Sequence, residues 1–131
     1  MSKIKSKNTR PEILVRKFLF SKGFRFRIAD KRLPGKPDIV LPKYRTSIFI
    51  NGCFWHGHEN CKYAKLPTSN VEFWNSKISG NIERDSRNNA ELEKLGWRVI
   101  TIWQCQLKAK TVEKTLNQLL KELTTDNETT R

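Results

Sequence analysis

The sequence predicts an α/β domain, on three observations. Segments with the 3.6-residue apolar period of a helix alternate with shorter runs that have the two-residue period of a strand. One such run, residues 97–103, is apolar on both faces apart from Arg98 and Thr101, as expected of a central strand covered on two sides. Finally, 131 residues, 37% of them hydrophobic, supply one core and too little material for two.

In chain order, residues 1–8 read as a basic flexible arm ahead of a single domain over 9–123. Thr9 and Glu12 have the spacing of a capping box and Pro11 suits a first helical turn; Ile13, Leu14, Phe18 and Leu19 then share an apolar face until Gly23. Phe24, Phe26 and Ile28 alternate with Arg25 and Arg27, which predicts a half-buried strand with a basic outer face. After the turn Leu33-Pro34-Gly35-Lys36-Pro37, the runs Asp38-Ile39-Val40-Leu41 and Ser47-Ile48-Phe49-Ile50 form a hairpin around Pro42-Lys43-Tyr44-Arg45, with an acid at its start. Residues 51–70 have no period and are crowded with Gly, His, Cys and Asn, so something other than ladder hydrogen bonds must order them. Helical spacing returns over 72–95 through Phe73, Trp74, Ile78, Ile82, Leu92 and Leu95, with Gly80 as a point of interruption and Gly96 as the stop. Beyond the strand at 97–103, Val112, Leu116, Leu119, Leu120 and Leu123 mark a closing amphipathic helix, and 124–131 is a polar tail expected to fray.

Composition narrows the partner. Lys plus Arg number 26 against 13 acids, a formal net charge of +13, and residues 1–36 alone carry 12 basic against 2 acidic side chains. Charge so concentrated suits a polyanion, and nucleic acid leads. No run approaches the roughly 18 apolar residues of a membrane span and the first residues lack a signal peptide's apolar segment, so a cytoplasmic protein with no membrane partner is expected. Three cysteines, an odd number, point to free thiols that serve as core residues, metal ligands or redox groups.

Both histidines and two of the three cysteines fall within Cys53-Phe54-Trp55-His56-Gly57-His58-Glu59-Asn60-Cys61. Zinc takes four thiolate or imidazole ligands in a tetrahedron; Cys53, His58 and Cys61 supply three, and Cys105, just past the strand at 97–103, is able to close a Cys3His site. The alternative is a set of buried cysteines and solvent-facing histidines. A histidine left out of the metal shell yet held by its loop suits proton transfer, and spacing alone leaves open whether His56 or His58 is that residue. Asp38, after Pro37 at a strand start, is a candidate magnesium ligand together with a backbone carbonyl and phosphate oxygens, although the facing Phe49-Ile50-Asn51 lacks the usual acid-x-lysine element. A turn-capping role is the plain alternative.

Taken together, Leu33-Pro34-Gly35-Lys36-Pro37-Asp38, Ile50-Asn51-Gly52-Cys53-Phe54-Trp55-His56, Phe73-Trp74, Gly96-Trp97-Arg98-Val99 and Trp103-Gln104-Cys105 resemble the very short patch repair mismatch endonucleases, over about residues 8–108. The resemblance implies a restriction-endonuclease-like core, a central mixed β-sheet flanked by helices, with a structural zinc. It implies magnesium-dependent nicking of double-stranded DNA 5′ to the mismatched T of a T·G pair, by a bacterial, nucleoid-associated monomer with mismatch-repair proteins as further partners. Carried over by position, Asp38 is the catalytic magnesium ligand, Ile50 offers a backbone carbonyl to the same ion, and His56 is the general acid/base. Cys53, His58, Cys61 and Cys105 become the zinc ligands, Phe54, Trp55 and Trp74 the aromatics inserted beside the mismatch, and Glu12 and Asn51 active-site support. Three departures stand out: Asn51 replaces a frequent second histidine, one extra residue separates His58 from Cys61, and the N-terminal arm is short.

Two other classes share these features. A zinc-stabilised DNA-binding module would need the charge, the aromatics and the Cys/His cluster but not Asp38. A related nuclease of a restriction or mobile-element system would cut matched DNA as well.

Overall fold

A computed structural model of the chain describes residues 10–28, 31–59 and 61–129, the last five as backbone only. The basic arm, Thr9 and the end of the polar tail lie outside the described residues.

Helix α1 spans Arg10–Ser21, with Pro11 and Glu12 in its first turn. It buries Glu12, Val15 and Leu19, and Leu14 and Phe18 pack beside the core. Turning the Glu12 carboxyl inward rotates Ile13, one residue and 100° on, out to 39% exposure, so Val15 takes the place expected for Ile13. The helix closes at Gly23, whose φ of +87° allows Phe24 N–H to reach Leu19 O at 3.0 Å and Gly23 N–H to reach Phe20 O at 3.0 Å. That closure draws Phe24 into the core against Tyr44, ring centroids 5.3 Å apart. The strand expected over 24–28 therefore shrinks to β1, Arg27–Ile28, both residues exposed.

Strand β2, Ile39–Leu41, pairs antiparallel with β1 and with β3, Thr46–Asn51, in the register Ile39↔Ile48, Val40↔Ser47, Leu41↔Thr46. A single 3-10 turn at Pro42–Tyr44 joins the hairpin as expected, and Arg45 reverses the chain at φ +49°. Helix α2, Val71–Lys94, then crosses to β4, Arg98–Trp103, which runs parallel to β3 with Ile48 beside Ile100. The mixed sheet has the order β1-β2-β3-β4. Among the described residues, strand β4 is thus an edge strand, correcting the central position that its two-sided apolarity suggests. The pattern arises because helices cover both faces even at this edge. Ile102, Ile48, Ile39 and Leu41 face a core shared with Val15 and Leu19 of α1 and with Leu119 and Leu123 of α3, Val112–Thr129. Phe49, which alternates with Ile48, points the other way, meeting Gly35 opposite Asn88 of α2.

Helix α2 runs unbroken through Gly80, where open space surrounds the missing side chain. Only Ile78 and Leu92 are buried along it, while Phe73, Ile82 and Leu95 are 58%, 45% and 52% exposed. It ends as α1 does, with Gly96 at φ +92° and Trp97 N–H on Leu92 O at 3.0 Å. The Arg45 side chain adds a tether, donating to Leu95 O at 2.9 Å while lying over the Trp97 ring. Helix α3 continues to Thr129, past the boundary at 123 that the apolar spacing suggests, because a helix needs no apolar residues to extend its own backbone bonds by a turn or two. Among the described residues, no helix is long and apolar enough to cross a membrane.

Candidate active site and metal cluster

The hairpin and the crossover bring the chemistry to one end of the sheet. Asp38, at the mouth of the hairpin, accepts a 2.7 Å hydrogen bond at Oδ2 from the backbone N–H of Ile50 near the end of β3. Burial pushes the Asp38 carboxyl up to about 6; the Ile50 N–H opposes this, the nearby Glu12 carboxylate adds to it, and His56 opposes it. Glu12 is buried on α1 and ion-paired with Arg16 at 3.2 Å. Three elements thus converge: the acid of the hairpin, the acid of α1 and the imidazole of the loop after β3. Asn51, the last residue of β3, is buried opposite Trp103.

The loop that carries His56 is built by short-range bonds and then docked on α2. His56 N–H donates to Gly52 O at 3.2 Å and His58 N–H to Cys53 O at 3.0 Å, which folds the chain back on itself. Gly57, at φ +60°, lies so close to α2 that a Cβ there would stand 2.5 Å from Ile82 Cδ1 and 2.8 Å from Ile78 Cγ2. Asn81 Nδ2 donates to Trp55 O at 2.8 Å, and Asp85 Oδ2 meets His56 Nδ1 at 2.6 Å. Ile78, Asn81, Ile82 and Asp85 follow the i, i+3, i+4, i+7 spacing of a single helix face. Asp85 is the functional candidate that the sequence reading missed. Its one signal is that spacing from Ile78, which becomes informative only once the loop is known to sit there.

Phe54, Trp55 and Trp74 form a half-buried edge-to-face cluster with centroids 5.0 to 5.8 Å apart, and Phe73 joins at 5.0 Å from Trp74. The trio is thus partly open, not sealed into the loop's own interior. Beside it, a shallow groove of about 600 Å³ runs along α2, lined by Phe73, Lys77, Asn81 and Arg84 among others.

The sulfurs of Cys53, Cys61 and Cys105 and a ring nitrogen of His58 all lie within 4.8 Å of one another. Cys105 Sγ is 3.5 Å from His58 Nδ1, and the His58 ring stacks on Trp103 at 4.1 Å with only 5° between planes. His58, not His56, belongs to this cluster. All three thiols are free. Burial and then the two neighbouring thiols push Cys105 up to about 12, and burial also raises Cys53. Desolvation would raise Cys61 too, but the Tyr63 N–H, the other two thiols and the Ala64 N–H outweigh it and hold Cys61 below its ordinary value. A tetrahedral zinc with Zn–S near 2.3 Å sets its sulfurs about 3.8 Å apart, so this donor set and spacing fit a dication of that kind.

A mixed sheet with Asp38 at a hairpin mouth, Glu12 near it on α1, an Asp-backed histidine and a four-ligand Cys/His cluster makes up a restriction-endonuclease-like α/β core. The solved structure of the homing endonuclease I-Bth0305I catalytic domain shares this fold, with a TM-score of 0.63 and 23% identity over 91% of this chain and 98% of that one. Residues 1–62 match the family model described as DNA mismatch endonuclease Vsr. The DNA mismatch endonuclease Vsr of Escherichia coli is 42% identical over 93% of this chain and 76% of its own, so this chain belongs to the Vsr endonuclease family. The type II nicking enzyme V.NmeAIP of Neisseria meningitidis is 56% identical over 94% of this chain and 88% of its own, and V.XorIIP of Xanthomonas oryzae is 51% identical over 82% and 78%.

Proposed function

We propose that this protein nicks duplex DNA on the 5′ side of the mismatched T in a T·G pair, as a magnesium-dependent hydrolase stabilised by zinc. The observation that carries this reading is the convergence of Asp38, Glu12 and His56 beside an open aromatic cluster on the same loop. The fit of magnesium rests on Asp38 itself: a buried carboxyl next to a second acid and bonded to one backbone N–H holds negative charge that a dication would relieve. Asp38 would hold the ion, with the Ile50 carbonyl as a further ligand, because the N–H and C=O of one strand residue point to the same side and the N–H already meets Asp38. Bound there, magnesium supplies charge stabilisation for the phosphoryl and leaving oxygens.

His56 handles the proton. In the neutral tautomer whose Nδ1–H donates to Asp85, Nε2 is an acceptor able to take a proton from water and hand it on to a solvent relay. Glu12, buried on α1 and paired with Arg16, supports the site as a second acid near Asp38, and Asn51 has an amide suited to orient water or phosphate. Phe54, Trp55 and Trp74 act as the wedge: a T·G pair is already weakly stacked, so inserting rings there costs less than at a matched step. Cys53, His58, Cys61 and Cys105 would hold zinc, which pins the loop that bears both wedge and imidazole.

The relatives named type II nicking enzymes favour a second reading, a nicking nuclease that serves a restriction system. One strand-resolved cleavage panel separates the two, using T·G and matched duplexes of varied flanking sequence in magnesium buffer. A nick 5′ to the T in mismatched DNA alone is the expected result. Equal cutting of matched duplexes supports the second reading, and intact strands at saturating protein would reduce the chain to a binding module.

A further inference from the structure

Among the described residues, Tyr63 is the one aromatic ring that two cations share: Lys62 Nζ lies 5.3 Å and Lys108 Nζ 4.9 Å from its centroid. Neither the nucleolytic site nor the metal cluster uses these side chains. We infer that Lys62, Tyr63 and Lys108 form a clamp for one backbone phosphate of the duplex, next to the aromatic wedge; the inference rests on the DNA-cleaving reading above.

The two ammonium groups stand no more than about 10 Å apart, so each raises the potential at the other. The ring face offsets part of that repulsion but carries no net charge. Among the described residues neither lysine forms an ion pair, so the charge is left for an external anion. Tyr63 is 47% exposed, a rigid platform whose hydroxyl can also donate to a phosphate oxygen.

Position argues for a duplex phosphate over any other anion. Lys62 follows Cys61 directly and Lys108 comes three residues after Cys105, and both sulfurs lie within 4.8 Å of Cys53, which opens the loop that carries Phe54 and Trp55. Three residues span at most about 11 Å. Both lysines are therefore tethered through the cluster to the loop that carries the wedge. A duplex seated there carries one phosphate charge per about 1.7 Å of its axis and so presents phosphates throughout that neighbourhood. The cluster also explains the convergence: the lysines come from segments more than 40 positions apart, and the four ligands tie those segments together.

The test measures full-length protein binding to a T·G duplex at several salt concentrations without magnesium. Each lost phosphate contact lowers the log–log salt slope by about 0.9, so the double variant Lys62→Gln/Lys108→Gln should lose about one from its slope while retaining wild-type zinc content. A charge-matched control on α3, Lys114→Gln/Lys121→Gln, should keep the wild-type slope. Tyr63→Leu, which keeps both charges, should bind several-fold more weakly with its slope unchanged. An unaltered slope in the first variant, an equal loss in the control, or wild-type affinity in Tyr63→Leu each overturns the clamp alone. Wild-type protein that fails to bind duplex DNA overturns the functional reading and the clamp with it.

Discussion

At the scale of single residues, the site is organised by one carboxyl that its surroundings make costly to ionise. Asp38 has an ordinary value of 3.8 that burial, with Glu12 nearby, raises to about 6. Below the lower value it is protonated in folded and unfolded chains alike and costs nothing. Between the two values the unfolded chain gives up its proton first, so stability falls as pH rises; above the upper value the penalty is complete. Asp38→Asn should therefore stabilise the magnesium-free protein at pH 8 by on the order of 2–3 kcal/mol, lose that advantage at pH 4, and abolish nicking. Urea unfolding in EDTA at both pH values reads the first part and a denaturing gel the second. A variant no more stable than wild type at pH 8 would mean that the carboxyl is not held against its will. Asp38 was legible as a candidate because it opens a hairpin after Pro37; its contact with Ile50 depends on register and was not.

At the scale of elements, α2 is the rail on which the loop after β3 is mounted. Its Ile78–Ile82 ridge receives Gly57, Asn81 holds the Trp55 carbonyl, and Asp85 orients His56. Trp55 and the His56 imidazole are thereby fixed to a common helix, at points about one turn apart. Asp85→Asn and Gly57→Ala should separate proton handling from mounting. Asp85→Asn should keep fold and duplex affinity while turnover drops about 10²–10⁴-fold, because the imidazole loses the partner that sets its tautomer. Gly57→Ala should cost about 2–4 kcal/mol of stability besides lowering activity: the residue stands at φ +60°, and although the Ile82 methyl can swing aside, Ile78 Cγ2 cannot move without changing its rotamer. Single-turnover kinetics paired with urea unfolding distinguish them, and equal stability losses in both would contradict this division of labour.

At the scale of the whole molecule, the sheet has a two-residue edge strand in β1, and the Cys/His cluster brings the loop after β3 to the segment just past β4. Removing the proposed zinc by chelation, or replacing Cys105 with Ser, should lower the thermal midpoint by well over 10 °C, since structural zinc binds zinc-finger peptides with an apparent energy of about 10–16 kcal/mol. Calorimetry with metal analysis checks this; an unchanged midpoint in zinc-free protein would remove the structural role. Much was legible beforehand at this scale: the amphipathic period marked all three helices, the turn residues 42–45 marked the hairpin, and Cys53, His58 and Cys61 announced a cluster by their crowding. What stayed illegible has one cause. The edge placement of β4, the inward turn of Glu12, the choice of His58 over His56 by contact geometry, and the partnership of His56 with Asp85 all depend on which segments meet in space. The sequence by itself determined the elements, because helix period, strand period and turn chemistry are local properties of neighbouring residues. Only the tertiary structure decided the site, because contacts between residues 29 or 47 positions apart, as in His56–Asp85 and His58–Cys105, exist only after packing has chosen the neighbours.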